Sequence, residues 1–271
     1  MKLFDSHAHI DDERFNDDRE EIIKQIKESD VGAFVSAGYS LEGSLKAVKY
    51  AKNYDFIYST VGISPNDIPQ SEEELWKTLE KTENLILKTR EEITDKKIIV
   101  AIGEIGLDYY WEKDDKMRDL QKKAFIAQIN MANKLDLPIV IHTRDAVMDT
   151  IQILKENKVN KKGVFHCCPL NRELVKEALK LGFYISFAGP VTFKNSRNAN
   201  EIIEMVPNNR MLIETDSPYL APEPVRGTRN DPRNVKYIAS KIADVKGISL
   251  EEVAKITYEN VKSIFGIWVI V

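Results

Sequence analysis

"KIIVAIGEIG", residues 97–106, is a run of mostly β-branched apolar residues broken by one carboxylate, Glu104. It is too short for a buried helix and rich in strand formers, so it predicts a fully buried strand. The segment before it, "SEEELWKTLEKTENLILKTREEI", has helical spacing, with Ser71 as a candidate N-cap and Glu74 three residues on. The segment after it, "RDLQKKAFIAQINMANKLD", repeats Leu120, Ala124, Phe125, Ile129 and Ala132 at helical intervals. A second apolar run, "LPIVIHT" (137–143), comes next. This is strand, helix, strand, and the pattern extends in both directions. Towards the N-terminus lie "KLFDSHA" (2–8), "VGAFVSAG" (31–38) and "DFIYSTVGI" (55–63), with the helical "DDREEIIKQIKESD" between the first two. Towards the C-terminus lie "KGVFHCC" (162–168), "GFYISFAG" (182–189) and "RMLIETD" (210–216). About eight such alternations predict parallel strands with right-handed crossovers, and hence an α/β fold of the (β/α)8 TIM-barrel type.

Nothing in the 271 residues looks like a linker, a low-complexity tract or a short repeat, so one domain spanning 1–271 is expected. The 39 basic and 43 acidic residues give a net charge of −4, which argues against a globally basic nucleic-acid surface. Contact with phosphates would have to come from a local cluster or from metal ions. No segment reaches the roughly 18 apolar residues of a membrane span, and no secretory leader is recognisable. Cys167 and Cys168 are adjacent and ill placed to bridge, which fits a reducing compartment. A cytoplasmic protein is expected, with a monomer favoured over an oligomer. The apolar tail "FGIWVIV" (265–271) is expected to cover the bottom of the barrel rather than to form a contact between chains.

The chain has four histidines, and two of them, His7 and His9, sit two apart in the extended segment at the start of the chain, so that their side chains point to one face. The others also fall at the C-terminal ends of apolar runs: His142 at the fifth and His166 at the sixth. Glu104 ends the fourth run and Asp216 the eighth. In a barrel that end is where active sites are built. Imidazole and carboxylate together suit divalent ions such as Mg, Mn or Zn. Six ligands exceed the need of one tetrahedral ion, so two ions bridged by Glu104 use them better. Asp216 is expected to ligate one ion and to hold, or deprotonate, an attacking water. Strand alternation turns Cys167 away from His166, so it is not expected among the ligands.

The stretches "DSHAHID", "VGISPND", "AIGEIGLDYYW", "QKKAFIAQINMANKLDLPIVIHTRDA", "GFYISFAGPVTFKN" and "ETDSPYLAPEPVRGTRNDPRNVKYIASKIADVKG" resemble, in order, the TatD family of metal-dependent hydrolases. The resemblance runs over essentially the whole chain. It implies a TIM-type barrel with one or two divalent metals and deoxyribonuclease activity, often 3′-to-5′ exonucleolytic, on DNA phosphodiesters. Carried over by motif, His7, His9, Glu104 and Asp216 would hold the first metal, and Glu104, His142 and His166 the second. Two positions depart from the family pattern. Where the third strand usually ends "VGxHP", this chain has "VGISP", placing Ser64 where a histidine near the scissile phosphate is usual, with Asn66 after it. Where a Phe, small residues and a glycine usually follow His166, the chain has "HCCPLN". A serine can donate a hydrogen bond but is no general acid at neutral pH.

Basic residues near the expected barrel mouth suit an anionic substrate: Arg144 after the fifth strand, Lys194 and Arg197 after the seventh, Arg226, Arg229 and Arg233 after the eighth. Tyr109, Tyr110 and Trp111 follow Glu104 and offer rings either for base stacking or for packing under the loop. No Gly-x-Ser-x-Gly elbow or Walker loop is present, so hydrolysis by a metal-activated water is expected, with Glu104 and Asp216 as its catalytic carboxylates. The rival readings are a small-molecule amide, ester or lactone hydrolase, an aminoacyl-tRNA ester hydrolase, and a metal-binding protein that has lost turnover.

Overall fold

The computed structural model describes residues 2–267; the last four residues of the predicted tail, 268–271, lie outside them. In chain order the principal elements are β1 (Leu3–Ala8), α1 (Arg19–Glu28), β2 (Val31–Ser36), α2 (Leu41–Asn53), β3 (Ile57–Val61), α3 (Glu72–Glu92), β4 (Ile99–Asp108) and α4 (Asp115–Leu135). They continue with β5 (Ile139–Arg144), α5 (Val147–Glu156), β6 (Gly163–Phe165), α6 (Arg172–Lys180), β7 (Tyr184–Phe187), α7 (Ala199–Met205), β8 (Met211–Ile213), α8 (Val235–Lys246) and α9 (Leu250–Phe265). All eight predicted strands are present. They belong to one sheet whose order, β1 to β8, follows the sequence. Strands in chain order, parallel and separated by helices, are the topology of the (β/α)8 barrel.

By packing, the chain forms two compact units, one made of the residues up to Ser36 with those from His166 onward, the other of Ala37–Phe165. In the first unit β1 pairs with β2 in parallel, Phe4 opposite Ala33 and Asp5 opposite Phe34, and β7 pairs with β8, Ile185 opposite Met211. The first and last strands also meet in this unit: Ala8 bridges Ser217, and the His9 N–H donates to the Ser217 carbonyl at 2.7 Å. Asp5, buried on β1, accepts from the Thr215 N–H at 2.9 Å and the Thr215 hydroxyl at 2.5 Å. Phe4, Phe15, Ile23 and Phe265 are fully buried, and Ile267, in the described part of the tail, is buried as well. Ser249 caps α9 by accepting from the Glu252 N–H.

In the second unit β4 is the long central strand. It pairs with β3, Thr60 opposite Ala101, and with β5, Gly106 opposite His142 and Asp108 opposite Arg144. Every residue of β4 is buried, which accounts for its continuous apolar run. The predicted caps and stripes form: Ser71 accepts from the Glu74 N–H at the start of α3, and Leu120, Ala124, Phe125, Ile129 and Ala132 make the buried face of α4. Among the described residues, no helix is long and apolar enough to cross a membrane.

Candidate metal centre

In the first unit the extended backbone of β1 sends Asp5 and His7 to one face, and His9 follows just beyond the strand. The pairing of β1 with the segment after β8 fixes Asp216 beside them, since the Asp216 N–H donates to the His7 carbonyl at 2.9 Å. The Nε2 atoms of His7 and His9 then lie 3.2 Å apart. Asp216 Oδ1 is 3.4 Å from the His9 Nε2 and 3.8 Å from the His7 Nε2. Metal–nitrogen and metal–carboxylate bonds near 2.0–2.2 Å put neighbouring ligand atoms of a tetrahedral ion about 3.3 Å apart. The three edges bracket that value, so the donor set fits a divalent cation. Burial pushes the Asp216 carboxyl up. The hydrogen bond from His9 and the fields of His166, His7 and His9 outweigh it and hold the pKa below the ordinary carboxylate value.

His166 stacks on His7, the ring centres 4.0 Å apart and the planes at 16°. Its Nδ1 lies 3.4 Å from Glu214 Oε1. Glu214 is fully buried and accepts from the Cys167 N–H and, at 3.3 Å, from the Ser6 hydroxyl. His7, His166 and Glu214 each place a ligand atom within 4.8 Å of the others. Cys167 thus meets this group through its backbone N–H, as the Cys168 thiol turns to the Pro169 carbonyl at 3.6 Å.

In the second unit Glu104 does not end its strand: β4 runs on for four more residues to Asp108. His142 on β5 stands between these two carboxylates, its Nδ1 2.9 Å from Glu104 Oε1 and its Nε2 3.0 Å from Asp108 Oδ2. Asp108 is saturated with partners. Its Oδ2 also accepts from the Asn66 amide at 3.2 Å, and its Oδ1 from the backbone N–H groups of Tyr110 and Trp111 at 3.0 and 3.1 Å. Burial pushes its carboxyl up, but His142, the Trp111 N–H and Asn66 together hold it below the usual value. Ser64 is buried; its hydroxyl donates to Asp67 Oδ2 at 2.7 Å and accepts from the Asn66 N–H at 3.3 Å.

The expected ligands therefore fall into two groups, His7, His9, His166 and Asp216 in one unit and Glu104 with His142 in the other. Sequence reasoning missed Glu214 and Asp108. Both carried a signal: Glu214 lies two residues before Asp216, and Asp108 follows Glu104 at twice the strand period. The basic residues are unequal. Arg144 lies over the Tyr110 ring at 3.7 Å, and Arg226 over Phe193 at 4.2 Å. Arg229 is bidentate to Asp18, at 2.8 and 2.6 Å, and Arg233 pairs with Asp231. Lys194 and Arg197 are exposed.

A family model described as TatD related DNase matches residues 4–266. The chain belongs to the TatD family. Within that family of metal-dependent hydrolases it is 42% identical over 268 residues to YabD of Bacillus subtilis (strain 168), described as an uncharacterized metal-dependent hydrolase; the match covers 98% of this chain and 99% of YabD. It is 35% identical over 271 residues to YcfH of Escherichia coli (strain K12), described in the same words, with 98% and 97% covered. The structure of YJJV, a TatD homologue from Escherichia coli K12, superimposes with a TM-score of 0.88 at 23% identity, covering 98% of each chain. That likeness establishes the TIM-barrel fold of this TatD member.

Proposed function

We propose that this TatD-family hydrolase is a divalent-metal-dependent deoxyribonuclease of the 3′-to-5′ exonuclease type. The observation that carries the metal chemistry is the triangle of His7, His9 and Asp216, whose edges of 3.2, 3.4 and 3.8 Å match the separations of ligands around one ion. The choice of DNA is supported by the family's description and by the arginine and aromatic side chains that accompany His142. In this reading Glu104 would be a ligand in two sets, with His7, His9 and Asp216 for one ion and with His142 and His166 for the other. Mg, Mn and Zn all suit imidazole and carboxylate donors.

When bound, the ions polarise the phosphoryl oxygen and lower the pKa of water. The residues do the rest. Asp216, held ionised beside His9, accepts the proton of the attacking water. Asp108 orients His142 through its Nε2, so that the Nδ1 faces Glu104. Arg144 and Lys194 are the cations assigned to phosphate oxygens, with Arg226 as a further contact; Ser64, whose hydroxyl proton goes to Asp67, adds no donor. Arg229 contributes less, because Asp18 already takes two of its N–H groups. Cys167 and Cys168, adjacent thiols, suit a reducing, cytoplasmic setting.

The test is cleavage of end-labelled single-stranded DNA with Mg or Mn. The parent protein is expected to shorten it from the 3′ end, and Asp216→Asn to slow the reaction by about 10²–10⁴-fold, the worth of general base catalysis. A metal-loaded parent that leaves DNA intact and opens a small ester or lactone would replace this reading with the small-molecule one.

A further inference from the structure

The turn after β4 carries three consecutive aromatic rings in three different settings. Tyr109 is committed to packing: its hydroxyl donates to Asp149 Oδ2 at 2.7 Å, and the Arg118 guanidinium lies 4.6 Å from its ring centre. Tyr110 is braced, with Arg144 over its ring at 3.7 Å and its plane nearly perpendicular to Trp111, 86° at 4.7 Å. Trp111 is left presented, 67% exposed. A ring that size is an unfavourable thing to hold in water, yet it is held firmly. Asp108 Oδ1 accepts from the N–H groups of both Tyr110 and Trp111, Lys113 donates to the Tyr109 carbonyl at 2.6 Å, and Arg118 donates to the Glu112 carbonyl at 3.0 Å. The ordering cost of a binding surface has therefore been met in advance. The same Asp108 contacts the Nε2 of His142, so one side chain joins the ring's turn to a proposed metal ligand.

A cavity of about 390 Å³ opens against Trp111, lined also by Pro65, Asn66, Gln70, Glu112 and Met117. Its lining includes a carboxylate and no cation, so it suits a neutral planar group and repels a phosphate. The Gln70 amide supplies donors and an acceptor, and Asn66, one of whose amide N–H groups goes to Asp108, adds its oxygen and its other N–H, as the edge of a base requires. The cation stands beside it: Arg144 lies on β5 two residues beyond His142, its guanidinium 5.6 Å from the Trp111 ring centre.

We propose that Trp111 stacks a nucleobase of the substrate strand, with the Asn66 and Gln70 amides facing the base edge and Arg144 on the adjoining phosphate. This rests on the DNA reading above and adds to it where the strand is gripped. Stacking is tolerant of base identity, because every base has a π-face.

The test measures the binding of two fluorescently labelled octamers to the full chain by anisotropy: nuclease-resistant phosphorothioate oligothymidylate, and a backbone-only strand of abasic residues. Trp111→Ala is expected to weaken thymidylate binding about tenfold, or ~1.4 kcal/mol, within the usual worth of one stacked base. Trp111→Phe should retain most of the affinity, and the abasic strand should bind all three proteins alike. Unchanged thymidylate affinity in Trp111→Ala, with the parent still cleaving DNA, overturns the subsite and leaves the nuclease reading standing. Equal weakening of both strands also overturns it, since the loss would then not depend on a base. A parent that binds neither strand but hydrolyses a small ester overturns the nuclease reading and the subsite with it.

Discussion

Asp108 faces the Nε2 of His142 at 3.0 Å, and this contact decides which ring nitrogen is turned towards Glu104. A carboxylate behind a histidine fixes its tautomer and raises its basicity as a ligand. Asp108→Asn keeps the shape and the Oδ1 acceptor that holds the aromatic turn, but puts an amide group where the second oxygen accepted. The expected result is a native circular-dichroism spectrum with metal affinity reduced by about 10–100-fold in calorimetric titration. Unaltered affinity would show that Asp108 serves the turn alone.

Gly106 lies between Glu104 and Asp108 on β4, opposite His142, with a φ of +141°. A Cβ there would come within 2.0 Å of the His142 carbonyl oxygen, a backbone atom that cannot swing aside. Gly106→Ala should therefore split β4 from β5 and dislodge His142, costing about 3 kcal/mol or more. The readout is loss of soluble protein, or a large drop in the midpoint of thermal unfolding with metal affinity lost. A stable variant with normal metal binding would contradict the tight pairing.

The pair Arg229–Asp18 makes the fold sensitive to acid. The hydrogen bond and charge of Arg229 hold Asp18 below the ordinary carboxylate value. A carboxylate whose folded pKa is depressed adds stability above its unfolded pKa, near 3.9, and that stability disappears as pH falls through the folded value. The side chains are 39% and 32% exposed, so the gain should stay at or below about 1 kcal/mol. Asp18→Asn should lower the melting temperature by about 2 °C at neutral pH, and the gap to the parent should close as pH falls below the unfolded carboxylate value and then through the depressed folded one. A gap that does not change with pH would assign the effect to packing.

The strands were legible because a parallel sheet covered on both sides needs continuous apolar runs, and "KIIVAIGEIG" is one. The helices were legible through their buried stripes and through caps such as Ser71. Strand ends were less so. Glu104 looks terminal because it interrupts apolar residues, yet the ladder continues through Gly106 to Asp108, where pairing with β5 outweighs local polarity. Glu214 is hard to read for a different reason: a buried carboxylate is costly alone, and the partners that satisfy it, Ser6 and the Cys167 N–H, are remote in sequence. The basic residues were least legible, since composition cannot tell an arginine locked to Asp18 from one lying over a tyrosine.

Ser64 occupies the place where the family pattern has a histidine, and its hydroxyl is used locally, donating to Asp67 and accepting from the Asn66 N–H. It caps the turn after β3 and brings no charge to a phosphate. A histidine there retains a donor for Asp67 through its Nδ1–H and adds a group that is cationic near pH 6.5. Ser64→His should raise single-turnover cleavage of a single-stranded oligonucleotide about tenfold, equal to ~1.4 kcal/mol of transition-state stabilisation, without changing metal occupancy. The gain should be greatest below roughly pH 6.5, where the imidazole is charged, and fade above it. Ser64→Ala is the control: it loses the turn cap, costs about 1 kcal/mol of stability, and should bring no gain in rate. A histidine variant whose rate stays at the parent level from about pH 5.5 to 8.5, on both sides of the imidazole pKa, would mean that the proton or charge comes from another donor, with Arg144 the nearest cation on β5.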